Sequence, residues 1–228
     1  MRYSEIEIQE KTRESLKINE TLYKQEFINY KSKTTDTKVL CTEIIASEII
    51  NGKLKIDTFS RKSKSYLTKS HQNRPVEIKD TNREEEKCAK RLFNKKDLNI
   101  GEVIDFQIPL KDKQLDKLGK IDLIIFDENT LTLYLIELKY GKNNETLLRA
   151  ILEAHTYYEI IDLDKLKNDY KFKEIKIKPA VMVVGSNCNS YKELEDINNR
   201  PQLLKLAKKL NITFFKSTNG EKFEIIEF

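Results

Sequence analysis

The sequence is poor in the residues that build disulfide frameworks, zinc sites and histidine-based active sites. Its three cysteines, Cys41, Cys88 and Cys188, are far apart, and no CxxC pair occurs. Neither a disulfide framework nor a zinc site is therefore indicated. His71 and His155 are the only histidines, which argues against catalysis by paired histidines and against a multi-histidine metal site.

Several familiar binding and targeting signals are also missing. The sequence contains neither GxxxxGK(S/T) nor GxGxxG, so the usual nucleotide-binding loops are not indicated. No apolar run approaches the roughly 20 residues needed to span a membrane. The first residues, MRYSEIEIQEK, lack the apolar core of a signal peptide. We therefore expect a cytoplasmic protein that makes no contact with membranes.

Charge is abundant but nearly balanced, since 42 lysine and arginine residues face 37 aspartate and glutamate residues, leaving a net charge of +5. A basic excess favours nucleic acid as a partner. An AT-rich genome produces the same Lys-, Asn- and Ile-rich composition, so the charge alone is a weak indication. A length of 228 residues allows one large domain, or one domain with an elaboration.

The clearest functional signal is a predicted β-hairpin at residues 119–139, with the sequence GKIDLIIFDENTLTLYLIELK. Two apolar strands flank a short polar turn. Asp122 lies near the start of the first strand, and Glu137 and Lys139 lie near the end of the second. Charged side chains are depleted in strands that are buried on both faces, so these three require an explanation.

The register of the hairpin determines whether these side chains meet. If Phe126 pairs with Leu131, Asp122 shares a face with Glu137 and Lys139, because side chains alternate between the two faces. Asp122 and Glu137 are then diagonal neighbours about 7–8 Å apart at the backbone, within reach of one small ion. A loop with an even number of residues keeps this arrangement, whereas an odd loop or a bulge breaks it.

A helix is predicted before the hairpin, over residues 80–94 (DTNREEEKCAKRLFN). Its apolar stripe places Glu85 along the buried side, with Glu86 one step round the helix. Two interpretations remain open. The glutamates only complement the positive end of the helix dipole, or Glu85 or Glu86 points inward and helps a metal site.

A second helix is predicted after the hairpin, over residues 143–161 (NNETLLRAILEAHTYYEII). Arg149, Glu153 and Tyr157 recur along one of its faces at a spacing of four residues. This stripe is either an ordinary exposed face with an i, i+4 ion pair or, because the helix directly follows Lys139, a wall of the site.

Residues 1–75 are predicted to form a β-rich N-terminal elaboration that packs on the remaining domain, residues 76–228. The main signal is VLCTEIIASEII followed by KLKIDTF, two β-prone runs that flank the hairpin turn Asn51-Gly52. The basic stretch from Arg61 to Arg74, RKSKSYLTKSHQNR, is either a solvated loop or a loop that contacts phosphates.

Strands and helices alternate in the C-terminal half. A buried strand is predicted over residues 179–185, an amphipathic helix over residues 199–210 and two short strands after it. Strand, helix and strand in this order imply a crossover connection and a sheet covered by helices.

Two carboxylates and a lysine aimed at one spot suit the hydrolysis of phosphodiesters. Carboxylate oxygens bind hard cations such as Mg²⁺. A bound metal activates water, and a lysine beside it stabilises developing negative charge.

The order of these motifs resembles that of the PD-(D/E)XK nuclease superfamily. A helix carrying Glu85 or Glu86 precedes GKID, which ends at Asp122. A hydrophobic hairpin then leads to IELK, which contains Glu137 and Lys139, and another helix follows. The resemblance covers about half to two-thirds of the chain. It implies an α/β fold with a restriction-endonuclease-like core, in which a central mixed β-sheet is flanked by helices.

The resemblance also implies roles for the residues of the hairpin. Asp122 and Glu137 would ligate Mg²⁺, with Mn²⁺ as a substitute, helped by the backbone carbonyl of Leu138. Lys139 would orient or deprotonate the attacking water and stabilise the pentavalent phosphate.

Residues of the two flanking helices would complete the site. Glu85 or Glu86 would hold a water ligand or a second metal. Some family members carry Gln-x-x-x-Tyr on the helix after the hairpin, and Glu153 and Tyr157 have that spacing with Glu in place of Gln. Together with Arg149, they are expected to contact the substrate.

The predicted function is that of a Mg²⁺-dependent phosphodiesterase, a deoxyribonuclease of the PD-(D/E)XK type in defence or repair. One alternative is an RNase, and another is a nucleic-acid-binding or protein-interaction domain that kept the fold without turnover. An α/β domain whose acids lie at strand ends by chance is the remaining interpretation. Nucleic acid, DNA in particular, is the expected partner, and a homodimer is left open.

Overall fold

A seven-stranded mixed sheet with its strands in chain order forms the centre of the computed structural model, which describes residues 3–17, 22–54, 56, 63–68, 71, 73–110, 112 and 119–226. The strands are β1 (Asp97–Leu98), β2 (Gly101–Pro109), β3 (Lys120–Asp127), β4 (Thr132–Tyr140), β5 (Lys176–Val184), β6 (Thr213–Ser217) and β7 (Glu224–Ile226). Strands β1 to β4 pair antiparallel, β4, β5 and β6 pair parallel, and β7 returns antiparallel to β6.

Helices flank this sheet, which confirms the predicted α/β class and the mixed sheet covered by helices. They are α1 (Glu5–Lys17), α2 (Cys41–Asn51), α3 (Glu84–Lys95), α4 (Leu147–Ile160), α5 (Leu163–Asp169), α6 (Asn189–Glu195) and α7 (Pro201–Lys209), with 3₁₀ helices at Leu22–Lys24, Glu26–Asn29 and Ile197–Asn199. None of the helices in the described ranges is both long and apolar enough to cross a membrane.

The sheet separates two hydrophobic cores. On one face, α3 packs Leu92 and Phe93 against alternate residues of β3 and β4. On the other face, α4 lies over the remaining alternate residues, and α1, α2 and α7 join the same core. Because both faces are covered, the central strands must be apolar on both sides, which explains their nearly continuous hydrophobic runs. The predicted crossover is confirmed in α7, which lies between the parallel strands β5 and β6. Helix α4 lies in a second crossover, from β4 to the parallel strand β5.

The prediction of a β-rich N-terminal elaboration is wrong for the described residues before position 76. They form α1, α2 and two 3₁₀ helices, and the strand pairing found among them is one isolated bridge between Lys33 and Leu40. These elements share the core beneath α4. The division of the chain at residue 75 stays a prediction.

The run VLCTEIIASEII is helical because its apolar residues recur on one side of a helix. Cys41, Ile45 and Ile49 follow one another at intervals of four, and all are buried. A continuous apolar run fits a buried helix and a buried strand equally well, so packing against α1 and α7 decided the outcome. Helix α2 ends at Asn51, where a hairpin turn was expected. The predicted partner strand, residues 53–59, lies largely outside the described residues.

The predicted hairpin is present as β3 and β4, with a different register. Phe126 pairs with Leu133 and not with Leu131, which lies in the turn with a φ of 51°. The loop is still even-numbered, so the relation between faces is kept. Continuing this register places Asp122 directly opposite Glu137, where a diagonal relation was predicted, although the ladder of pairs ends just before them.

Strands β2 and β3 both depart from regular geometry next to that point. Gln107 in β2 has a φ of 49°. Its neighbours Phe106 and Ile108 pack in opposite cores, and β3 changes faces in the same way across Asp122. Residues two apart on a regular strand would share a face. The expected alternation through Asp122 is therefore interrupted, and this interruption brings Gln107 and Asp122 together.

Candidate functional site

The candidate site lies at the carboxyl end of β4, where β3 separates from it. Gln107 Nε2 donates a hydrogen bond of 2.7 Å to Asp122 Oδ1, and the Leu138 backbone N–H donates one of 2.9 Å to Asp122 Oδ2. The Asp122 carboxylate thus replaces a backbone acceptor where the ladder stops. The carboxyl ends of strands are the common location of ligand sites in open α/β sheets.

Lys139 lies at the centre of the site. Its side chain is 4% exposed, and its Nζ lies 2.7 Å from Glu137 Oε1 and 2.6 Å from Glu145 Oε2. Glu153 Oε2 is 3.5 Å from the same nitrogen. A buried ammonium needs such partners, because leaving it unpaired away from water would cost several kcal/mol.

Helix α4 supplies one wall of the site. Thr146 caps its first turn by accepting the N–H of Arg149, and the Arg149 Nε lies 3.1 Å from Glu145 Oε1. Tyr157 donates a hydrogen bond of 2.6 Å to Glu153 Oε1. The predicted stripe therefore faces the site through Glu153 and Tyr157, with Arg149 at its edge. The Tyr157 side chain is buried, and its hydroxyl lies within hydrogen-bonding distance of Glu153 and of the Tyr23 hydroxyl.

Helix α3 approaches from the other face of the sheet and brings one of its two candidate glutamates. Glu85 accepts a hydrogen bond from Asn143 Nδ2 in the segment between β4 and α4. Glu86 instead pairs with Lys90 at 2.9 Å and with Arg83 at 3.4 Å. Glu85 thus joins the carboxylate cluster, and Glu86 does not.

Four residues of the site were missed by sequence reasoning. Glu145 and Asn143 lie in the short connection after Lys139, and this position directly after the IELK motif is a signal that could have identified them. Gln107 reaches the site only because β2 is irregular there, and Tyr23 only because the N-terminal 3₁₀ helix places its hydroxyl 3.4 Å from that of Tyr157. Neither carries a local signal.

No protein-family model matches this chain, and no curated protein or solved structure is significantly similar to it. The roles of its residues are therefore inferred from their geometry and chemistry.

The site holds more negative than positive charge. Five carboxylates interact electrostatically there, against the two cations Lys139 and Arg149, which leaves a net charge of −3 if every group is ionised; the acids are Glu85, Asp122, Glu137, Glu145 and Glu153. Like charges in a partly dry environment raise one another's pKa values. An additional cation would relieve this excess.

The pKa values of the site reflect burial and the crowding of acids. Burial raises the pKa of Asp122 to about 7, and burial together with Glu153 raises the pKa of Glu137 well above its usual range. Burial also raises the pKa of Glu85. For Lys139, burial alone would lower the pKa, but the surrounding carboxylates, Glu137 first, raise it well above the ordinary value.

The donor set fits a hard divalent cation in its chemistry. Among the described residues, no three His, Cys, Asp or Glu side chains are already grouped so as to hold a metal ion. Asp122 and Glu137 nevertheless offer oxygen donors on adjacent strands. The N–H and C=O of one strand residue face the same neighbouring strand. The Leu138 carbonyl therefore faces β3, as its N–H does. Oxygen donors with excess negative charge suit Mg²⁺ or Mn²⁺.

Proposed function

We propose that this protein is a divalent-metal-dependent nuclease that hydrolyses phosphodiester bonds, with DNA as the substrate class. The observation that carries the proposal is the buried Lys139 ammonium held between Glu137, Glu145 and Glu153, next to Asp122 in the gap between β3 and β4. The arrangement of these groups supports the resemblance to the PD-(D/E)XK superfamily and a restriction-endonuclease-like core.

Lys139 is suited to stabilise negative charge. Its pKa is raised by the carboxylates around it, so its ammonium keeps its proton at neutral pH. A protonated lysine cannot remove a proton from water, but it can donate hydrogen bonds to a phosphate oxygen as charge builds up there. The three carboxylate contacts of Lys139 therefore support charge stabilisation over deprotonation of water as its role.

Asp122, Glu137 and the Leu138 carbonyl are the groups that would hold the metal. Glu85, which interacts electrostatically with Asp122, would hold a water ligand. A divalent metal in this position supplies Lewis acidity and a water of lowered pKa. Glu153 keeps Lys139 in place, and Tyr157 fixes Glu153 through its hydrogen bond. Glu145, which directly precedes the N-cap of α4, also holds Lys139.

Cleavage assays test this proposal directly. Plasmid DNA, single-stranded DNA and RNA are each incubated with the protein in Mg²⁺, in Mn²⁺ or in EDTA. We expect metal-dependent cleavage of DNA that falls at least about a hundredfold in Lys139→Met, since removal of one charge-stabilising group typically costs that much. Lys176→Ala is the matched lysine control, because Lys176 lies at the end of β5 that is remote from the site.

Three results would contradict the proposal: full activity of Lys139→Met, full activity in EDTA, or failure of the wild type to cleave any of the substrates. Cleavage of RNA alone would retain the chemistry and correct the substrate. Circular dichroism of Lys139→Met establishes that the variant is folded, because removal of a buried charge partner can destabilise the protein.

The ion pairs of Lys139 are also compatible with a second candidate, a nucleic-acid-binding domain without turnover. Glu137 and Glu153 are both close to Lys139, and a purely structural ion-pair network would have the same contacts. In that case, the wild type and Lys139→Met would bind nucleic acid equally well, and neither would cleave it.

A further inference from the structure

A cleft of about 310 Å³ opens beside the carboxylate cluster, between α3 and the paired ends of β2 and β3. Its polar lining residues are Thr68, His71, Glu86, Lys90, Gln107 and Lys120. None of the cationic groups among them takes part in the site described above. The cleft adds donors and positive charge next to a site in which negative charge is in excess.

His71 is held in the cleft by a built network. Its Nδ1 lies 2.8 Å from Oδ1 of Asp105, whose side chain is 1% exposed. Asp105 also accepts the Phe106 N–H at 2.7 Å and the Tyr170 hydroxyl. The imidazole stacks on the Phe106 ring with centroids 3.9 Å apart. An imidazole whose Nδ1–H donates to Asp105 presents Nε2 to a ligand, and in the imidazolium form Nε2 donates to an anion.

The cleft adjoins the carboxylate cluster through shared elements. Gln107 lines the cleft and also donates to Asp122. Lys120 precedes Asp122 by two residues on β3. Helix α3 carries Glu85 into the cluster and Lys90 to the cleft. A nucleic-acid strand with one phosphate at the cluster would therefore place a neighbouring phosphate in or near the cleft.

The charges in the cleft suit an anion. Lys90 is partly neutralised by Glu86, at 2.9 Å. The Lys120 ammonium has no hydrogen-bond or ion-pair partner among the described residues. Contacts between lysine and phosphate supply most of the sequence-independent affinity for nucleic acids. A substrate approaching the negatively charged cluster needs such contacts at its flanking phosphates.

We infer that this cleft binds a backbone phosphate of the substrate strand next to the phosphate under attack, with Lys120 and His71 as its principal contacts. The inference rests on the proposed nuclease function and assigns it a substrate subsite. It also favours the phosphate-contacting interpretation of the basic stretch from Arg61 to Arg74, since Thr68 and His71 belong to that stretch.

Salt-dependent binding tests the subsite. Fluorescence anisotropy of labelled single-stranded and duplex DNA is measured across a range of KCl concentrations, in a Glu137→Gln parent that is expected not to cleave. Loss of one phosphate contact should lower the salt slope by about one and weaken binding at about 0.1 M salt roughly five- to eightfold. We expect this in Lys120→Ala and not in Lys176→Ala, an exposed lysine at the other end of the sheet.

His71→Asn is the second variant. Its amide can still bond to Asp105 but has no nitrogen in the position of Nε2, so it should also weaken binding, whereas its melting temperature reports any damage to the fold. Unchanged affinity and salt slope in both Lys120→Ala and His71→Asn would overturn the subsite, even if the wild type cleaves DNA. An equal loss in Lys176→Ala would also overturn it.

Failure of the proposed function gives a different pattern. If the wild type does not cleave but the parent protein binds DNA and loses affinity in Lys120→Ala, the cleft is a phosphate site and the nuclease proposal is refuted. If the wild type cleaves and the cleft variants retain wild-type affinity and wild-type KM, the nuclease proposal stands and the subsite is refuted.

Discussion

Replacing Asp122 with asparagine should stabilise the metal-free protein in alkaline solution, and the gain should shrink in acid. Burial raises the pKa of Asp122 from an ordinary 3.8 to about 7. The folded protein therefore keeps a proton that the unfolded chain releases across this interval. The free energy of unfolding falls as pH rises from about 4 to about 7, because the folded state must then ionise a carboxyl that its surroundings disfavour. Asparagine carries no such proton.

The magnitude follows from the interval crossed. Between about pH 5 and about pH 8, the free energy of unfolding of the wild type falls by about 3 kcal/mol at full effect, which corresponds to roughly two pKa units. Asp122 keeps some contact with solvent, so we expect about 2 kcal/mol. Asparagine can accept only one of the hydrogen bonds from Gln107 and Leu138, but this cost of about 1–3 kcal/mol does not vary with pH and cancels in the comparison.

Chemical denaturation of both proteins in EDTA, at about pH 5 and about pH 8, measures the effect. The difference between Asp122→Asn and wild type should shift in favour of the variant by about 2 kcal/mol from acid to alkali. Asp97→Asn, at an exposed position on β1, is the matched control for a general effect of replacing aspartate by asparagine. A difference that stays constant with pH, or moves the other way, would refute the raised pKa of Asp122.

Addition of Mg²⁺ extends the same experiment to the metal. A ligand that binds only the folded state stabilises it by about 3 kcal/mol at a hundredfold excess over its Kd. At about pH 8, Mg²⁺ should therefore stabilise the wild type and reverse the advantage of Asp122→Asn. Equal stabilisation of both proteins would show that Asp122 is not a metal ligand.

Three further substitutions separate the roles of neighbouring groups. Glu85→Gln should lower kcat for DNA cleavage about 10- to 100-fold, as loss of a supporting carboxylate does. Glu84→Gln, at an outward-facing position, should leave kcat unchanged, and equal rates in the two variants would remove Glu85 from the site. Gly119→Ala would place a Cβ 1.9 Å from the Tyr157 hydroxyl. It should therefore lower the free energy of unfolding, measured in a denaturant titration, by about 1–3 kcal/mol, and unchanged stability would contradict this packing. Glu43→Gln replaces the carboxylate that accepts two backbone N–H groups at the start of α7, so it should lower the free energy of unfolding by about 1–3 kcal/mol. The cleavage rate should not fall, and a reduced rate would link this contact to the site.

Local patterns were sufficient for the elements that build the sheet. The apolar strands of the hairpin, the glutamate-rich helix α3 and the crossover helix α4 all have long, regular periodicity, and each formed where it was predicted. The exact register of the hairpin was not predictable, because Leu131 lies in the turn and the partner of Phe126 is therefore two residues further along the chain. An even shift does not exchange faces, so the meeting of Asp122 and Glu137 survived the error.

The prediction of strands in the N-terminal third of the chain failed for a physical reason. Ile44, Ile45, Ile49 and Ile50 are β-branched, and their intrinsic preference is for strands. They became helical because one side of that helix buries against α1 and α7, where a strand would have had no sheet to join. Tertiary burial outweighs intrinsic preferences, which amount to a fraction of a kcal/mol per residue.

The sequence by itself determined that two acids and a lysine would stand at one end of a buried hairpin, because Asp122 lies near the start of β3 and the other two near the end of its antiparallel partner β4. The period of two residues places Glu137 and Lys139 on one face, but it is interrupted at Asp122. The sequence could not determine which further groups complete the cluster. The packing of α3 brings in Glu85 and leaves Glu86 outside. The irregularity of β2 brings in Gln107, and the N-terminal 3₁₀ helix brings in Tyr23. These contacts join residues far apart in the chain, and only the tertiary structure brings them within hydrogen-bonding distance.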